Sequence, residues 1–462
     1  MGLLAEDRYF DPDPSVRRVA RALYEETRSL PVISPHGHVD PRILAEDTPF
    51  PEPASLIVQP DHYVLRLLYA HGVALEDLGV RSRHAGPFEA DPCKVWQRFA
   101  DHYYLFDATP TGAWLNYELH EVFGITEPLW GDTAPRIYDE IREKLASPEF
   151  RPRALFERFN IEVLATTDAA TDSLEHHRAI RASGWNGRVI PTFRPDALFR
   201  ITDPHWPVTV DSLAVGDYSG FINAIAERRA YFKSVGATAT DHAVLAPYTA
   251  ALSQDAAERL FRLALDGKAA ADDERRFTAH LLMEMARLSL DDGLVMQIHA
   301  GALRDHNTLI FDRFGPDKGG DIPVATEFTR NLRPLLNAYG NDAKFTLVLF
   351  TLDESTYSRE LAPLAGHYPA VRLGPPWWFH DSIEGMRRFR ERTTETAGLY
   401  KTAGFNDDTR AFCSIPARHD LARRMDANYL AGLVARHVIS ENDARRMARA
   451  LAYDLAKQTY RL

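Results

Sequence analysis

Short apolar runs that alternate with helical segments constrain the fold of this chain more than any other feature. Each run has the length of a strand, and most stretches between runs carry apolar residues at the spacing of about 3.6 residues that is typical of helices. Strands that alternate with helices pair in parallel, because a parallel pair needs a long crossover connection. The runs that we interpret as strands are residues 30–33, 161–166, 189–193, about 235–240, 294–298, 345–350, 371–373 and about 399–405.

Eight such units predict an α/β fold of the (β/α)8 TIM-like barrel type, in which each strand of a closed sheet is followed by a helix. A doubly wound open sheet is the alternative, although it gives no reason for eight units. Between the first two runs, the chain has helical signals, frequent proline and glycine, and little strand alternation. We therefore expect the barrel to comprise residues 1–40 and 153–462, with a helical insertion at residues 41–152 after the first strand.

Helical periodicity also predicts individual helices outside the insertion. The first runs from about Ser15 to Arg28, with Val19 and Leu23 on its apolar face. The last begins at Ser440, whose spacing to Asp443 has the form of a capping box. The others are residues 256–265, 276–290, 386–396 and 421–438. We expect the final two helices to pack as the last helical layer of the barrel.

Charge and cysteine content exclude several classes of protein. The 462 residues carry a formal net charge of −11, without a basic stripe, which argues against nucleic-acid binding. No apolar stretch approaches the roughly 18 residues of a membrane span, and the first residues do not have the pattern of a secretory signal. Cys93 and Cys413 lie far apart and form no CxxC motif. We therefore expect a protein of the reducing cytoplasm.

The motif His36-Gly37-His38 closes the first predicted strand. Residues two apart on a strand project to one face, so both imidazoles could reach one divalent cation; two histidines in a solvated turn are the alternative. In a barrel of this type, the chemistry lies at the carboxyl ends of the strands. Later runs deliver His299 and Asp408 to the same edge. This set of nitrogen and oxygen ligands suits zinc or another first-row divalent ion.

Further segments with polar and aromatic residues extend in order over nearly the whole chain. They are Asp61-His62-Tyr63, Thr166-Thr167-Asp168, Phe193-Arg194-Pro195-Asp196, Gln297-Ile298-His299-Ala300-Gly301-Ala302-Leu303-Arg304, Trp377-Trp378-Phe379 and Asp408-Thr409-Arg410. The order His-x-His, later His and final Asp resembles the amidohydrolase superfamily of metal-dependent barrels. More narrowly, the segments resemble the uronate isomerases, the glucuronate isomerase family. Their common order and spacing make this resemblance far more specific than any single motif.

The resemblance implies an aldose–ketose isomerase that acts on a hexuronate. D-Glucuronate would become D-fructuronate, or D-galacturonate would become D-tagaturonate, by proton transfer between C2 and C1 through an enediol. Such chemistry requires a base near C2, a group that moves protons between two oxygens, a polarising charge and cations for the carboxylate. The resemblance also implies a divalent metal cofactor, zinc or alternatively manganese. Its ligands would be His36, His38, His299 and Asp408.

The resemblance assigns roles to the remaining residues as well. Asp408 would be the base at C2, and Tyr63 would carry a proton between O1 and O2. His62 would assist ring opening or bind the carboxylate, and Arg410 would hold the enediolate with its fork of donors. The residues implied to bind substrate are Arg194, Arg410, His62, Trp377, Trp378 and Arg304.

Each of these residues also has a plainer interpretation. Asp408 could cap a turn, Arg410 could form a surface ion pair, and Arg194 could tie a loop to a neighbouring acid. His62 and Tyr63 could be ordinary helix-face residues. His299 could be a buried structural histidine, and the two tryptophans could be core aromatics.

The chain departs from the family pattern at a few positions that follow strands. Gly37 stands where cysteine is common, Ala169-Ala170 replaces Asp-Pro, and Thr351-Leu352-Asp353 replaces Asn-Pro. These changes bear on the identity of the sugar more than on the reaction class. Two other functions stay open: a metal-dependent hydrolase or decarboxylase of the same superfamily, and a non-catalytic sugar-acid binding protein that needs no Asp408. We expect a homo-oligomer with a small sugar acid as ligand and no nucleic-acid or membrane partner.

Overall fold

The computed structural model describes residues 4–462, so the first three residues of the predicted barrel segment 1–40 lie outside the described residues. Its strands are β1 (Val32–Ser34), β2 (Ile161–Ala165), β3 (Asp168–Ala169), β4 (Arg188–Ile190), β5 (Phe193–Arg194), β6 (Ala239–Val244), β7 (Val295–Ala300), β8 (Ala302–Leu303), β9 (Ile322–Pro323), β10 (Leu347–Thr351) and β11 (Val371–Leu373).

The helices follow the predicted pattern. They are α1 (Pro14–Thr27), α2 (Pro41–Glu46), α3 (His62–Ala70), α4 (Pro92–Asp101), α5 (Pro110–Tyr117), α6 (Ala134–Leu145), α7 (Pro152–Arg158), α8 (Glu175–Ala182), α9 (Asp196–Phe199), α10 (Trp206–Asp211), α11 (Tyr218–Val235), α12 (Gln254–Leu265), α13 (Ala271–Asp292), α14 (Thr308–Phe314), α15 (Arg333–Tyr339), α16 (Ala362–His367), α17 (Ile383–Ala397), α18 (Ile415–Ala435), α19 (Glu441–Arg449) and α20 (Leu455–Tyr460).

Nine of these strands pair in parallel around the barrel, and β8 and β9 form a separate antiparallel pair. One set of paired strands is β1-β2-β4, and the other is β11-β10-β7-β6-β5-β3. Because β2 and β3 are successive pieces of one extended run, as are β4 and β5, the two sets join. Past β11, a parallel bridge from Leu373 to Thr402 marks the eighth position. The backbone N–H of His38 donates to the carbonyl of Thr409 at 3.0 Å, so the eighth segment also contacts the first.

Two predicted strands differ from the structure. The run at 399–405 is wrong as a full strand, because it contains a short 3-10 turn (Leu399–Lys401) and a single bridge. Gly398 and Gly404, both with φ near +80°, bound this segment and interrupt an extended conformation. The run at about 235–240 begins too early: Val235 ends α11, Gly236 caps that helix at φ 113°, and β6 starts at Ala239.

The chain between β1 and β2 forms the helices α2 to α7, and the described residues of this stretch contain no strand, as the prediction for residues 41–152 requires. Its apolar residues do not form a core of their own. Leu65 and Trp96 of this stretch belong to the same buried cluster as Val32 of β1 and Leu164 of β2. The helices therefore pack directly on the first strands of the barrel.

The C-terminal helices pack against the N-terminal one. Leu23 of α1, Leu430 of α18 and Ala448 of α19 share a buried cluster. The predicted capping box is present, with Ser440 and Asp443 bonded reciprocally at the start of α19. In residues 4–462, Cys93 and Cys413 are both free thiols. No helix in this part of the chain is long and apolar enough to cross a membrane.

Candidate active site

A cavity of about 810 Å³ opens at the carboxyl ends of the strands, where the barrel topology predicts the chemistry. The insertion contributes α3 to its wall. His36 and His299 lie beside the cavity with 1% and 4% of their surfaces exposed. The other predicted site residues line it: His38, His62, Tyr63, Arg194, Arg304, Trp377, Trp378, Asp408 and Arg410.

Imidazole nitrogens and a carboxylate oxygen converge at the base of this cavity. The Oδ1 atom of Asp408 lies 3.4 Å from Nε2 of His36 and 3.1 Å from Nε2 of His38. His36, His299 and Asp408 each offer a ligand atom within 4.8 Å of the others. We name His36, His38, His299 and Asp408 the metal side of the cavity.

The donor set of the metal side fits a divalent cation. Nδ1 of His36 and Nε2 of His299 are buried and have no hydrogen-bond partner, and Oδ1 of Asp408 is buried between the imidazoles of His36 and His38. Buried polar atoms are normally satisfied, so two unpaired nitrogens beside a buried carboxylate indicate a site for a cation. Nδ1 of His299 is 2.6 Å from Oδ1 of Asp241, which is the carboxylate contact that orients metal-binding histidines.

Opposite charges hold the carboxylates of this region ionised. Burial alone would raise the pKa of Asp408, but His36 and His38 keep that pKa well below its usual value. Burial also opposes ionisation of Asp241, whose pKa is nevertheless well below normal because of His299, His36 and Arg194. Both carboxylates are therefore charged at neutral pH.

Arg194 reaches this network from the end of β5. Its Nε lies 2.7 Å from Oδ2 of Asp196 and 3.6 Å from Oδ2 of Asp241. Part of the guanidinium thus ties the strand to a neighbouring acid, as in the plainer interpretation, while the residue still lines the cavity. The sequence places Asp241 directly after the fourth predicted strand without assigning it a role, and in the structure it lies within β6, which continues to Val244.

Aromatic rings form another part of the cavity wall. His62 stacks on Trp378 with ring centroids 5.2 Å apart and planes within 3°. The guanidinium of Arg304 lies over the same indole at 5.1 Å. Burial and the charge of Arg410 lower the pKa of His62 to about 3, so this imidazole is neutral. Both Trp378 (φ 54°) and Asp408 (φ 42°) adopt the left-handed conformation, a strain that recurs at functional sites.

Tyr63 enters the cavity from the first turn of α3. The side chain of the N-cap residue Asp61 accepts a hydrogen bond from the backbone N–H of Tyr63 at 2.8 Å, which fixes the start of the helix. The phenol oxygen lies 3.5 Å from Oδ2 of Asp381. Burial and the charge of Asp381 raise the pKa of Tyr63 well above normal, so the phenol keeps its proton.

Arg410 lies at the mouth, where its Nη2 is 3.0 Å from Oδ2 of Asp317. Asp317, Asp381 and Arg418 were not predicted as site residues. Arg418 lies within a helix whose other residues are mostly buried, and Asp381 lies just beyond the predicted Trp-Trp-Phe motif. Sequence periodicity carried no signal that would have distinguished these two residues from ordinary core polar groups.

The sequence matches one family over its full length. The model of the family described as glucuronate isomerase matches residues 15–460. The uronate isomerase of Nostoc punctiforme is 54% identical over 467 residues, which cover 100% of this chain and 98% of that protein.

Solved structures of the same family superpose closely. The glucuronate isomerase from Caulobacter crescentus has a TM-score of 0.97 at 50% identity, covering 100% of this chain and 98% of that one. The uronate isomerase from Thermotoga maritima has a TM-score of 0.92 at 29% identity, covering 99% of each chain. These matches confirm the predicted barrel and the resemblance, and they give no support to a hydrolase or decarboxylase. The chain therefore belongs to the glucuronate isomerase family.

Proposed function

We propose that this enzyme interconverts D-glucuronate with D-fructuronate and D-galacturonate with D-tagaturonate. The observation that carries the proposal is the meeting of Asp408 with His36 and His38 within 3.4 Å, on the edge of a cavity that also presents Tyr63. A base, a proton-bearing hydroxyl and cations are the groups that an aldose–ketose isomerisation requires.

Asp408 is the proposed base for the carbon-bound proton. A carboxylate accepts a proton only when it is ionised, and the low pKa of Asp408 keeps it so. It would take the proton from C2 of the open-chain aldose and return it to C1. Its left-handed backbone directs the carboxylate toward the histidine pair.

The oxygen-bound proton needs a separate carrier, and Tyr63 is the proposed one. Its phenol is protonated at neutral pH and buried at the cavity wall. It would donate to one sugar oxygen while accepting from the other. His62 is neutral beside it, which favours a hydrogen-bonding role in ring opening over that of a cationic clamp.

Cationic and aromatic side chains would hold the sugar acid. Arg304, Arg410 and Arg194 are the proposed partners of the carboxylate and of the enediolate charge. Trp377 and Trp378 would bound the sugar on its apolar face. Arg194 is already paired with Asp196, and Arg410 with Asp317. Each arginine must therefore bind the substrate in addition to its acid or release that acid when the substrate binds.

The metal side is the proposed site of a divalent ion, zinc or manganese. His36, His38, His299 and Asp408 would hold it, since they bring nitrogen and oxygen donors together, and buried nitrogens of His36 and His299 have no hydrogen-bond partner. When bound, such an ion polarises substrate oxygens and favours their ionised forms.

We further propose a division into a barrel domain (residues 1–40 and 153–462) and a helical insertion (41–152), although the two share one buried cluster.

We also propose a cytoplasmic homo-oligomer without nucleic-acid or membrane partners. The free thiols of Cys93 and Cys413 suit a reducing compartment. Light scattering after size-exclusion chromatography tests the oligomer, and the mass of one chain would contradict it.

Turnover of both hexuronates in deuterated water tests the function. We expect ketose formation and deuterium at the exchanging carbon, because Asp408 exchanges its proton with solvent. Metal-stripped protein, with zinc or manganese then restored, measures the dependence on the ion. Lack of turnover of either hexuronate by the metal-loaded enzyme would overturn the proposal.

A further inference from the structure

A buried ion pair lies directly behind Tyr63. Nη1 of Arg418, on α18, is 3.0 Å from Oδ2 of Asp381, in the segment after β11. Their side chains are only 2% and 9% exposed. The same carboxylate oxygen is the atom that lies 3.5 Å from the phenol of Tyr63. We name Tyr63, Trp114, Asp381 and Arg418 the insertion side of the cavity.

Contacts on several sides fix the guanidinium of Arg418. It lies over the ring of Trp114 at 3.6 Å from the centroid. Its Nε donates to Oγ of Ser414 at 3.2 Å, and Nη1 also donates to the carbonyl of Asp407 at 3.3 Å. Trp114 in turn packs edge-on against Tyr63 with ring centroids 5.4 Å apart. Three separate parts of the chain thus meet behind one phenol.

Stability alone does not account for this arrangement. Burying an ion pair costs desolvation energy, and apolar residues of equal volume often stabilise a core as well. The same helix holds a second buried pair, Asp426 with Arg390 at 2.7 Å, in its interface with α17. That pair reaches no cavity residue, whereas the carboxylate of Asp381 contacts Tyr63.

We propose that Asp381, held in place by Arg418, is a positioning residue that fixes the hydroxyl of Tyr63 for proton transfer between the sugar oxygens. The inference rests on the proposed function. Asp381 does not line the cavity, so it acts through Tyr63 and not on the substrate. A carboxylate acceptor orients the O–H bond, and a fixed guanidinium orients the carboxylate.

A double-mutant cycle tests this role in the metal-loaded enzyme. Asp381→Asn removes the charge with little change of shape and should lower kcat by about 100-fold, since a misplaced group costs that much, while KM changes little. If Asp381 acts through Tyr63, then Tyr63→Phe combined with Asp381→Asn should be no slower than Tyr63→Phe alone. The matched control is Asp426→Asn, which breaks a different buried pair of α18 and should leave kcat unchanged.

Several outcomes would overturn the inference. These are an unchanged kcat in Asp381→Asn, additive losses in the double variant, or an equal loss of kcat in Asp426→Asn. If Asp381→Asn does not fold, Asp381→Glu keeps the charge, moves the carboxylate and enters the same cycle. Wild-type turnover separates the two proposals: an enzyme that turns over hexuronate but shows additive losses contradicts only the positioning role, whereas an inactive wild type overturns both.

Discussion

The metal side and the insertion side of the cavity shift the pKa values of their carboxyl groups in opposite directions. On the metal side, the pKa of Asp408 is well below its usual value despite burial, because His36 and His38 surround it. On the insertion side, burial raises the pKa of Asp381 to about 7 even though Arg418 opposes the shift. The carboxyl group of the metal side is thus ionised at neutral pH, whereas that of the insertion side titrates near neutral pH.

The cause is the local ratio of cations to carboxyl groups. Two imidazoles, those of His36 and His38, act on the single carboxylate of Asp408, whereas on the insertion side the guanidinium groups of Arg418 and Arg66 are shared by Asp381, Asp61 and the phenol of Tyr63. The two halves of the proposed reaction need these two environments. Removal of the carbon proton needs an ionised base, and transfer between sugar oxygens needs a group that keeps its proton until the transition state.

Neutralising the proposed base of the metal side should cause the largest loss of activity. Asp408→Asn should lower kcat by about 10⁴-fold, since it removes the general base. Steady-state kinetics with both hexuronates measures the loss. Asp168→Asn is the matched control, because Asp168 is a buried carboxylate at another strand end that does not line the cavity. Comparable losses in both variants would mean that Asp408 acts on the fold and not on C2.

Removing the proton carrier of the insertion side should have a smaller effect. Tyr63→Phe should lower kcat by about 100-fold, because only the proton transfer between oxygens is lost. Metal content, measured by elemental analysis, should stay at the wild-type level since Tyr63 is not among the proposed ligands. Tyr103→Phe changes a buried tyrosine of the insertion that does not line the cavity, and it should retain full activity. Loss of metal from Tyr63→Phe would contradict the separation of the two sides.

The pH dependence of kcat sharpens the comparison further. With a pKa of about 7, Asp381 is ionised above that pH and protonated below it. If its charge is needed to orient Tyr63, kcat should fall by about tenfold between pH 8 and pH 6. The acid limb should disappear in Asp381→Asn and persist in Asp426→Asn. A limb that survives in Asp381→Asn belongs to another group and removes this support for the positioning role.

The two sides also differ in how far sequence reasoning could reach them. In a barrel of this type, residues that follow different strands lie close together at one edge. His36, His299 and Asp408 could therefore be placed at that edge from their positions in the sequence alone. The insertion side has no such rule. Tyr63 was assigned to the site only through the family resemblance, because nothing in a helical pattern says which face of an insertion covers a barrel mouth.

Asp381 and Arg418 show the limit most clearly. Arg418 is 2% exposed in a helix that also carries Arg423 and Arg424, and such a row of arginines is ordinarily expected on a solvated face. Its burial depends on a tryptophan some 300 residues earlier and on a carboxylate after a different strand. Contacts of this kind arise from tertiary packing, so a single sequence does not report them. The missing eighth strand has a similar origin, since Gly404 lies against the backbone of Ala456.

The last expected effect concerns stability and not turnover, at a carboxyl group close to the insertion side. Burial and the nearby Asp61 raise the pKa of Glu118 to about 8, with Arg418 opposing the shift. A carboxyl group whose pKa is raised on folding contributes stability below its unfolded pKa of 4.5, and that contribution is lost as the pH rises through the folded pKa. The contribution of Glu118 to stability should therefore decline between about pH 5 and pH 8. Glu118→Gln cannot ionise, so its free energy of unfolding should lie close to that of the wild type at pH 5 and exceed it by about 4 kcal/mol at pH 8.5, at about 1.4 kcal/mol for each pKa unit of the shift. Urea unfolding at both values measures the difference, with the exposed Glu121→Gln as control. A gain that is equal at both pH values would show that Glu118 is not protonated in the fold, and the contrast between the two walls would then rest on Asp381 alone.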